Sequence, residues 1–252
     1  MDFSDVTFVI LTYNEAARIG DCLAALPAGA RALVYDALSV DATAAIAQQH
    51  GAQVLKVPWQ GFARAKEAAA AHVKTPWTFV LDADERVSKE LAQEIALLPM
   101  PADATGYSIP RRNYFCGRWI RGAGWWPDRL VRLFRTGRAR IKARGGKTEY
   151  ALHEAWVADG ATVELQGVLE HHSYASLEEY RARFSRYTSL EAQHGRSTLL
   201  DVLGAWCVVP LRAVWLAVVR AGILDGWRGL YVSWWSALYP AVVATKAWRR
   251  AR

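Results

Sequence analysis

The sequence predicts an α/β fold: a mostly parallel sheet flanked by helices, followed by a C-terminal amphipathic helical segment. Three observations predict it. Over the first hundred residues, short apolar runs alternate with stretches whose apolar residues recur at helical spacing. Polar residues cluster directly after the apolar runs, where a parallel sheet binds its ligands. Beyond Thr198 the composition changes to long apolar stretches edged with Trp and Arg.

Each element follows in turn. Val6–Leu11 reads as the first strand. Glu15–Leu26 carries apolar residues at 19, 22, 23 and 26, the spacing of a helix. Ala32–Tyr35 is a second strand, and Asp41 is placed to N-cap a helix from Ala42 to His50. Gln53–Val57 is a third strand and Ala63–Val73 an Ala-rich helix. Trp77–Leu81 is a fourth strand and Ser88–Leu98 a further helix. The alternation implies parallel strands joined by right-handed crossovers. From 100 to 170 the pattern is irregular and dense in Arg and Trp, with a flexible loop marked at Gly145-Gly146. Ser176 and Glu179 fit a capping box that opens an amphipathic helix. In the tail, Leu199–Val219 carries Asp201, Pro210 and Arg212, and Gly229–Thr245 is interrupted by Pro240. A span takes about 20 clean apolar residues. Interfacial or re-entrant helices with Trp and Arg anchors are therefore the expectation. A hairpin packed on the catalytic domain or on a partner is the alternative.

Composition narrows the classes. Hydrophobic residues make up 52% of 252, enough for a large core, and the net charge of +7 points to anionic partners. Cys22, Cys116 and Cys207 form no CxxC pair, so a reducing compartment is expected. Acids precede the first apolar run, which argues against a signal peptide. Of the 12 tryptophans, six lie after residue 200, and Trp favours the water–lipid boundary. The charge and the Arg/Trp segment also raise nucleic-acid binding, but no recognised motif accompanies them.

The fourth strand runs into Asp82-Ala83-Asp84-Glu85. If the extended geometry continues, Asp82 and Asp84 share a face. Two carboxylates at a strand mouth are reconciled by a hard divalent cation, and Mg²⁺ or Mn²⁺ suits one or two carboxylates plus phosphate oxygens. The first strand ends in Thr12-Tyr13-Asn14-Glu15 and the second in Asp36, a candidate acceptor for a base N–H or ribose hydroxyl. Arg64 and Lys66 follow the third strand as candidates for a diphosphate.

The runs ILTYNEAARI, DALSVDAT, GFARAKE and LDADE resemble family 2 glycosyltransferases of the GT-A fold. GWWPDRLVRLFR, then LHE, then LEHHSYASLEEY, is similar to a bacterial subgroup containing lipopolysaccharide-core glucosyltransferases. Ala37 and Ala42 depart from the usual DSxSxDxT segment, and Glu67 from an Asn. The resemblance implies an inverting, metal-dependent transfer from a UDP-sugar, glucose first, to a hydroxyl of a glycolipid or oligosaccharide. It implies that Asp82 and Asp84 hold the metal, with Ala83 between them and His171 as a third ligand or a donor to the diphosphate. Asp128, after the rigid Pro127, is the expected general base and Glu154 the second choice. Arg129 and Arg132 are expected on the diphosphate or an anionic acceptor. The expected domains are 1–195, with a nucleotide-sugar half to 100 and an acceptor half after it, and a membrane-associated segment at 196–252. The expected place is the cytoplasmic face of a bacterial inner membrane. A polyprenyl-phosphate sugar synthase and a non-catalytic membrane-bound scaffold are the rival readings.

Overall fold

The computed structural model describes residues 1–99, 104–143 and 154–251. They form two compact units: Met1–Arg111 with Arg129–His171, and Arg112–Asp128 with His172–Arg252. The expected division was 1–195 and 196–252. The helical tail belongs to a unit that also takes in residues 112–128 and the helix before it, because those segments bond to one another.

The first unit opens with β1 (Val6–Thr12), α1 (Ile19–Ala24), β2 (Arg31–Asp36), α2 (Thr43–Gln49), β3 (Gln53–Lys56), α3 (Phe62–Ala71) and β4 (Trp77–Asp82). β5 (Glu85–Val87) and α4 (Lys89–Ala96) follow, and then β6 (Gly106–Phe115), which continues past residue 111. β1 pairs in parallel with β2 and with β4, and β2 with β3. The register sets Thr12 opposite Asp36 and Leu11 opposite Asp82, so three strands end level at one edge. Both faces of these strands are buried. Phe8, Ile10, Phe79 and Leu81 lie on one side; Val9, Leu33 and Val80 lie on the other. Phe8 and Phe79 stack at 4.8 Å. Such double burial explains why the strands read as unbroken apolar runs.

The expected helix at Glu15–Leu26 shortens to Ile19–Ala24. Its first turn is diverted, because the N–H groups of Glu15 and Ala16 donate to the side chains of Thr43 and Asp41. The helix after β4 holds, with Ser88 accepting from the Leu91 N–H at 3.1 Å.

β7 (Arg118–Trp119) pairs with the outer end of β6 in the second unit. β8 (Asp128–Arg135) returns antiparallel to β4. β9 (Ala139–Ala143), β10 (Glu154–Ala158), β11 (Thr162–Glu164) and β12 (Leu169–Tyr174) complete the strands. β12 pairs with β5, setting His171 opposite Glu85. Gly145-Gly146 lie outside the described residues.

The second unit is mainly helical: α5 (Leu177–His194), α6 (Leu199–Val214) and α7 (Gly226–Arg250). Ser176 caps α5, while Glu179 reaches back to the Ala175 N–H. α6 runs on through a π turn at Trp215–Val219, and a 3₁₀ turn at Gly222–Asp225 leads into α7. Phe115 packs edge-on against Tyr180 at 5.3 Å and stacks on Tyr231 at 5.6 Å. α6 buries only Val202 and Val209, and Leu216 follows in the π turn, a single stripe at sevenfold spacing. Leu200, Leu203, Trp206, Leu211, Val214 and Val218 are exposed. The 21 residues from Leu199 to Val219 reach a mean hydropathy of 2.0 over an 18-residue window and are long and apolar enough to cross a membrane.

Candidate active site

The chain turns at Ala83-Asp84 instead of continuing as a strand. The expectation that Asp82 and Asp84 share a face is thereby corrected: the two carboxylates meet different partners. Asp82 Oδ2 accepts from Arg132 Nη2 at 2.7 Å. The same nitrogen donates to Glu85 Oε1 at 2.5 Å, and Arg111 Nη1 donates to that oxygen at 3.0 Å. Glu85, fully buried, also accepts the Asp82 N–H through Oε2. Burial opposes the charge on Asp82, yet Arg132 and then Lys66 outweigh it and hold the carboxyl well below the usual carboxylate range. Burial likewise works against the Arg132 cation, but Asp82 and Glu85 raise it above the ordinary arginine value.

Asp84 faces His171. Its Oδ1 lies 3.4 Å from His171 Nε2, and the two side chains are 9% and 16% exposed. Two adjacent ligands of an octahedral cation with bonds near 2.1 Å stand about 3 Å apart. The separation is therefore close to that of two ligands of a Mg²⁺- or Mn²⁺-sized ion. Among the described residues no three His, Cys, Asp or Glu side chains converge to hold a metal. Such an ion would take two protein ligands and fill its shell from phosphate and water, the habit of Mg²⁺.

The remaining expected residues fall into three placements. Thr12, Asp36 and Ser39 form a buried network: Asp36 Oδ1 accepts from Thr12 Oγ1 at 3.1 Å and from Ser39 Oγ at 2.5 Å, and Oδ2 accepts the Ser39 N–H. Asp36 is fully buried, so it shapes the strand ends, while Tyr13 stands 53% exposed beside them. Glu15 pairs with Arg18 at 3.2 Å. Arg64 is exposed on α3, and Lys66 lies near enough to act on Asp82. Arg132 is 3% exposed and bonded to two carboxylates. Arg129 donates to the Leu165 carbonyl at 2.9 Å and pairs with Glu164 at 3.5 Å. The side chain of Glu154, at the start of β10, lies outside the described residues.

In the second unit, Asp128 Oδ2 accepts from Asn113 Nδ2 at 3.3 Å. Asn113 is buried, its Nδ2 also donates to the Trp125 carbonyl, and its backbone carbonyl accepts the Ile120 N–H. Arg112 and Arg121 lie over the Trp119 ring at 5.0 and 4.5 Å. Arg112 and Arg121 thus pack on Trp119 by cation–π contact inside this unit. Sequence reasoning missed Asn113, Arg111 and Glu85. Of these only Glu85 carried a signal, as the residue directly after the DAD triplet.

The family profile described as "Glycosyl transferase family 2" matches residues 7–155, more than half the chain. The chain belongs to glycosyl transferase family 2. Its enzyme class is accordingly glycosyl transfer. The lipopolysaccharide core biosynthesis glycosyltransferase LpsC of Rhizobium meliloti is 29% identical over 195 residues, 73% of this chain and 68% of that protein. Further curated glycosyltransferases, from mycobacteria and rickettsias, are matched over 61% down to 31% of their own length. A Pyrobaculum calidifontis mannosyltransferase solved with GDP-Man and Mn²⁺ shares the fold at TM-score 0.55 and 15% identity, over 96% of this chain and 86% of that one. S. aureus TarS 1-349, solved with UDP, does so at TM-score 0.50 and 12% identity, over 98% and 92%. This family 2 chain therefore has the GT-A-like α/β fold.

Proposed function

We propose that this family 2 enzyme transfers a sugar, glucose from UDP-glucose first, to a hydroxyl of a lipopolysaccharide-core or related glycolipid at a membrane surface. The observation that carries the reading is the Asp84–His171 pair, ready for a divalent cation at the carboxyl edge of the parallel strands. The LpsC likeness supports the acceptor class, and the GDP-Man and Mn²⁺ of one fold neighbour and the UDP of the other support a sugar-nucleotide donor.

Asp84 and His171 would hold the cation, Mg²⁺ or Mn²⁺. When bound, it offsets the charge that develops on the departing diphosphate. Asp82, fixed on Arg132, faces the donor side as a permanent anion and orients Lys66. The Thr12–Asp36–Ser39 network sets the β1 and β2 ends, where Tyr13 is exposed for the nucleoside. Asp128, steadied by Asn113, takes the proton from the attacking hydroxyl. The exposed apolar helix Leu199–Val219, which carries Arg212 and is followed by Arg220, meets anionic lipid at the cytoplasmic face of a bacterial inner membrane.

The same apolar helix also suits a polyprenyl-phosphate acceptor, whose ionised oxygen needs no base. A panel of sugar nucleotides with Mn²⁺ or Mg²⁺ separates these readings. UDP-glucose should raise the melting temperature only with the cation, and Asp84→Asn should remove the shift. Absence of any donor effect sinks the reading. Transfer by Asp128→Asn at the full rate favours the lipid-phosphate acceptor.

A further inference from the structure

Asp225 stands outside every role assigned so far. It is 5% exposed and occupies the N-cap position of α7. An Asp there ordinarily accepts an N–H from the first turn of its own helix. Asp225 makes no such bond. Its Oδ2 instead accepts the backbone N–H groups of Arg121 and Gly122, at 2.9 and 2.7 Å. The Ala123 N–H donates to the Arg220 carbonyl at 2.8 Å beside them.

The approach is close. A Cβ on Gly122 would stand 2.4 Å from the Ala221 carbonyl oxygen, a backbone atom with no side-chain freedom to retreat. Both touching turns use left-handed backbone at alanine: Ala123 at φ 54° and Ala221 at φ 55°. Such conformations persist where surrounding contacts over-determine them. Two successive N–H groups converging on one carboxylate oxygen fix a loop's orientation as well as its place. Six residues beyond Gly122 the same loop reaches Asp128, where Asn113 holds the other end.

We propose that Asp225 is a positioning residue for the acceptor-side loop, residues 121–128, and through it for Asp128. The inference rests on the reading of Asp128 as the base. The C-terminal hairpin thereby acts on transfer to the acceptor and leaves donor binding alone.

Asp225→Ala, Asp225→Asn and Gly122→Ala in the full chain test this. Asn keeps an oxygen able to accept both N–H groups, whereas the added methyl of Gly122→Ala separates the turns. The measurements are the UDP-glucose and Mn²⁺ melting shift and the kcat and KM for transfer to a lipid A–core glycolipid. The expected result is at least a tenfold loss of kcat in Asp225→Ala and Gly122→Ala, with an unchanged donor shift and most of the rate restored in Asp225→Asn. The proposal is overturned if Asp225→Ala transfers at the wild-type rate. It is equally overturned if donor binding falls in step with transfer, or if Asn is as damaging as Ala. If Asp225→Ala does not fold, the Gly122→Ala and Asp225→Asn outcomes decide. Asp128→Asn, run beside them, separates the failures. Full transfer by that variant removes the base assignment, while the effect of Asp225 on kcat remains readable.

Discussion

At the residue scale, the charge pattern of the DADE segment is divided between two tasks. Arg132 gathers Asp82 and Glu85 into a buried cluster, and Asp84 is left facing His171. Removing the guanidinium would take from Asp82 its partner at 2.7 Å and leave the fully buried Glu85 to Arg111. Arg132→Ala should cost about 3–5 kcal/mol of stability by urea denaturation, since breaking a buried pair leaves an uncompensated charge. Arg132→Lys should recover part of that loss, because an ammonium keeps the charge but not the fork that serves two carboxylates. A stability change below about 1 kcal/mol for Arg132→Ala would show the cluster to be solvated. The sequence made Asp84 and His171 legible as candidates, through the DAD triplet and the LEHHSY segment. Their meeting was not legible, because it depends on β12 pairing with β5 across more than eighty residues. The burial of Arg132 was hidden for the same reason: nothing in WPDRLVR tells a diphosphate-facing arginine from one turned inward onto carboxylates.

At the element scale, the first four strands and their helices were readable because local period and tertiary burial agree. β1 to β4 appear within one residue of their expected ends. Helix α1 was overestimated because its apolar spacing extends over residues whose N–H groups are captured by Asp41 and Thr43. β6 to β12 were not read as strands, since most of their pairings are antiparallel, with β11 parallel to β6, and their faces mix Arg with aromatics. Close packing between such elements is testable at Gly167. A Cβ there would fall 2.4 Å from the Leu91 Cα, in the backbone of α4. Gly167→Ala should destabilise the chain by about 1–3 kcal/mol, the usual penalty of overpacking. A thermal melt indistinguishable from the parent would mean that the loop before β12 can yield.

For the whole molecule, the unusual property is an apolar surface on a basic chain. Leu200, Leu211 and Leu224 are 79%, 74% and 79% exposed. Fully burying a leucine gains about 1.5–3 kcal/mol, so partial entry into lipid is worth about 1 kcal/mol each. Replacing all three with Ser should weaken partitioning onto anionic vesicles by roughly a hundredfold. Binding should also weaken with salt, as basic anchors are screened. Vesicle sedimentation that is equal for the variant and the parent would refute a bilayer-facing role for this helix. The tail's composition announced lipid contact as an expectation, but not that the tail shares a unit with residues 112–128. That grouping arises from bonds between segments a hundred residues apart, which no local pattern encodes.

The clamp at Asp225 changes what a shortened enzyme can teach. An investigator seeking a well-behaved sample would cut the greasy tail at residue 195. The cut would also remove the acceptors of the Arg121, Gly122 and Ala123 N–H groups and the Arg228 guanidinium that grips the Cys116 carbonyl. Idleness of that fragment would then report a collapsed loop and say nothing of a need for lipid. Point changes on the outer face of the intact hairpin keep the two causes apart.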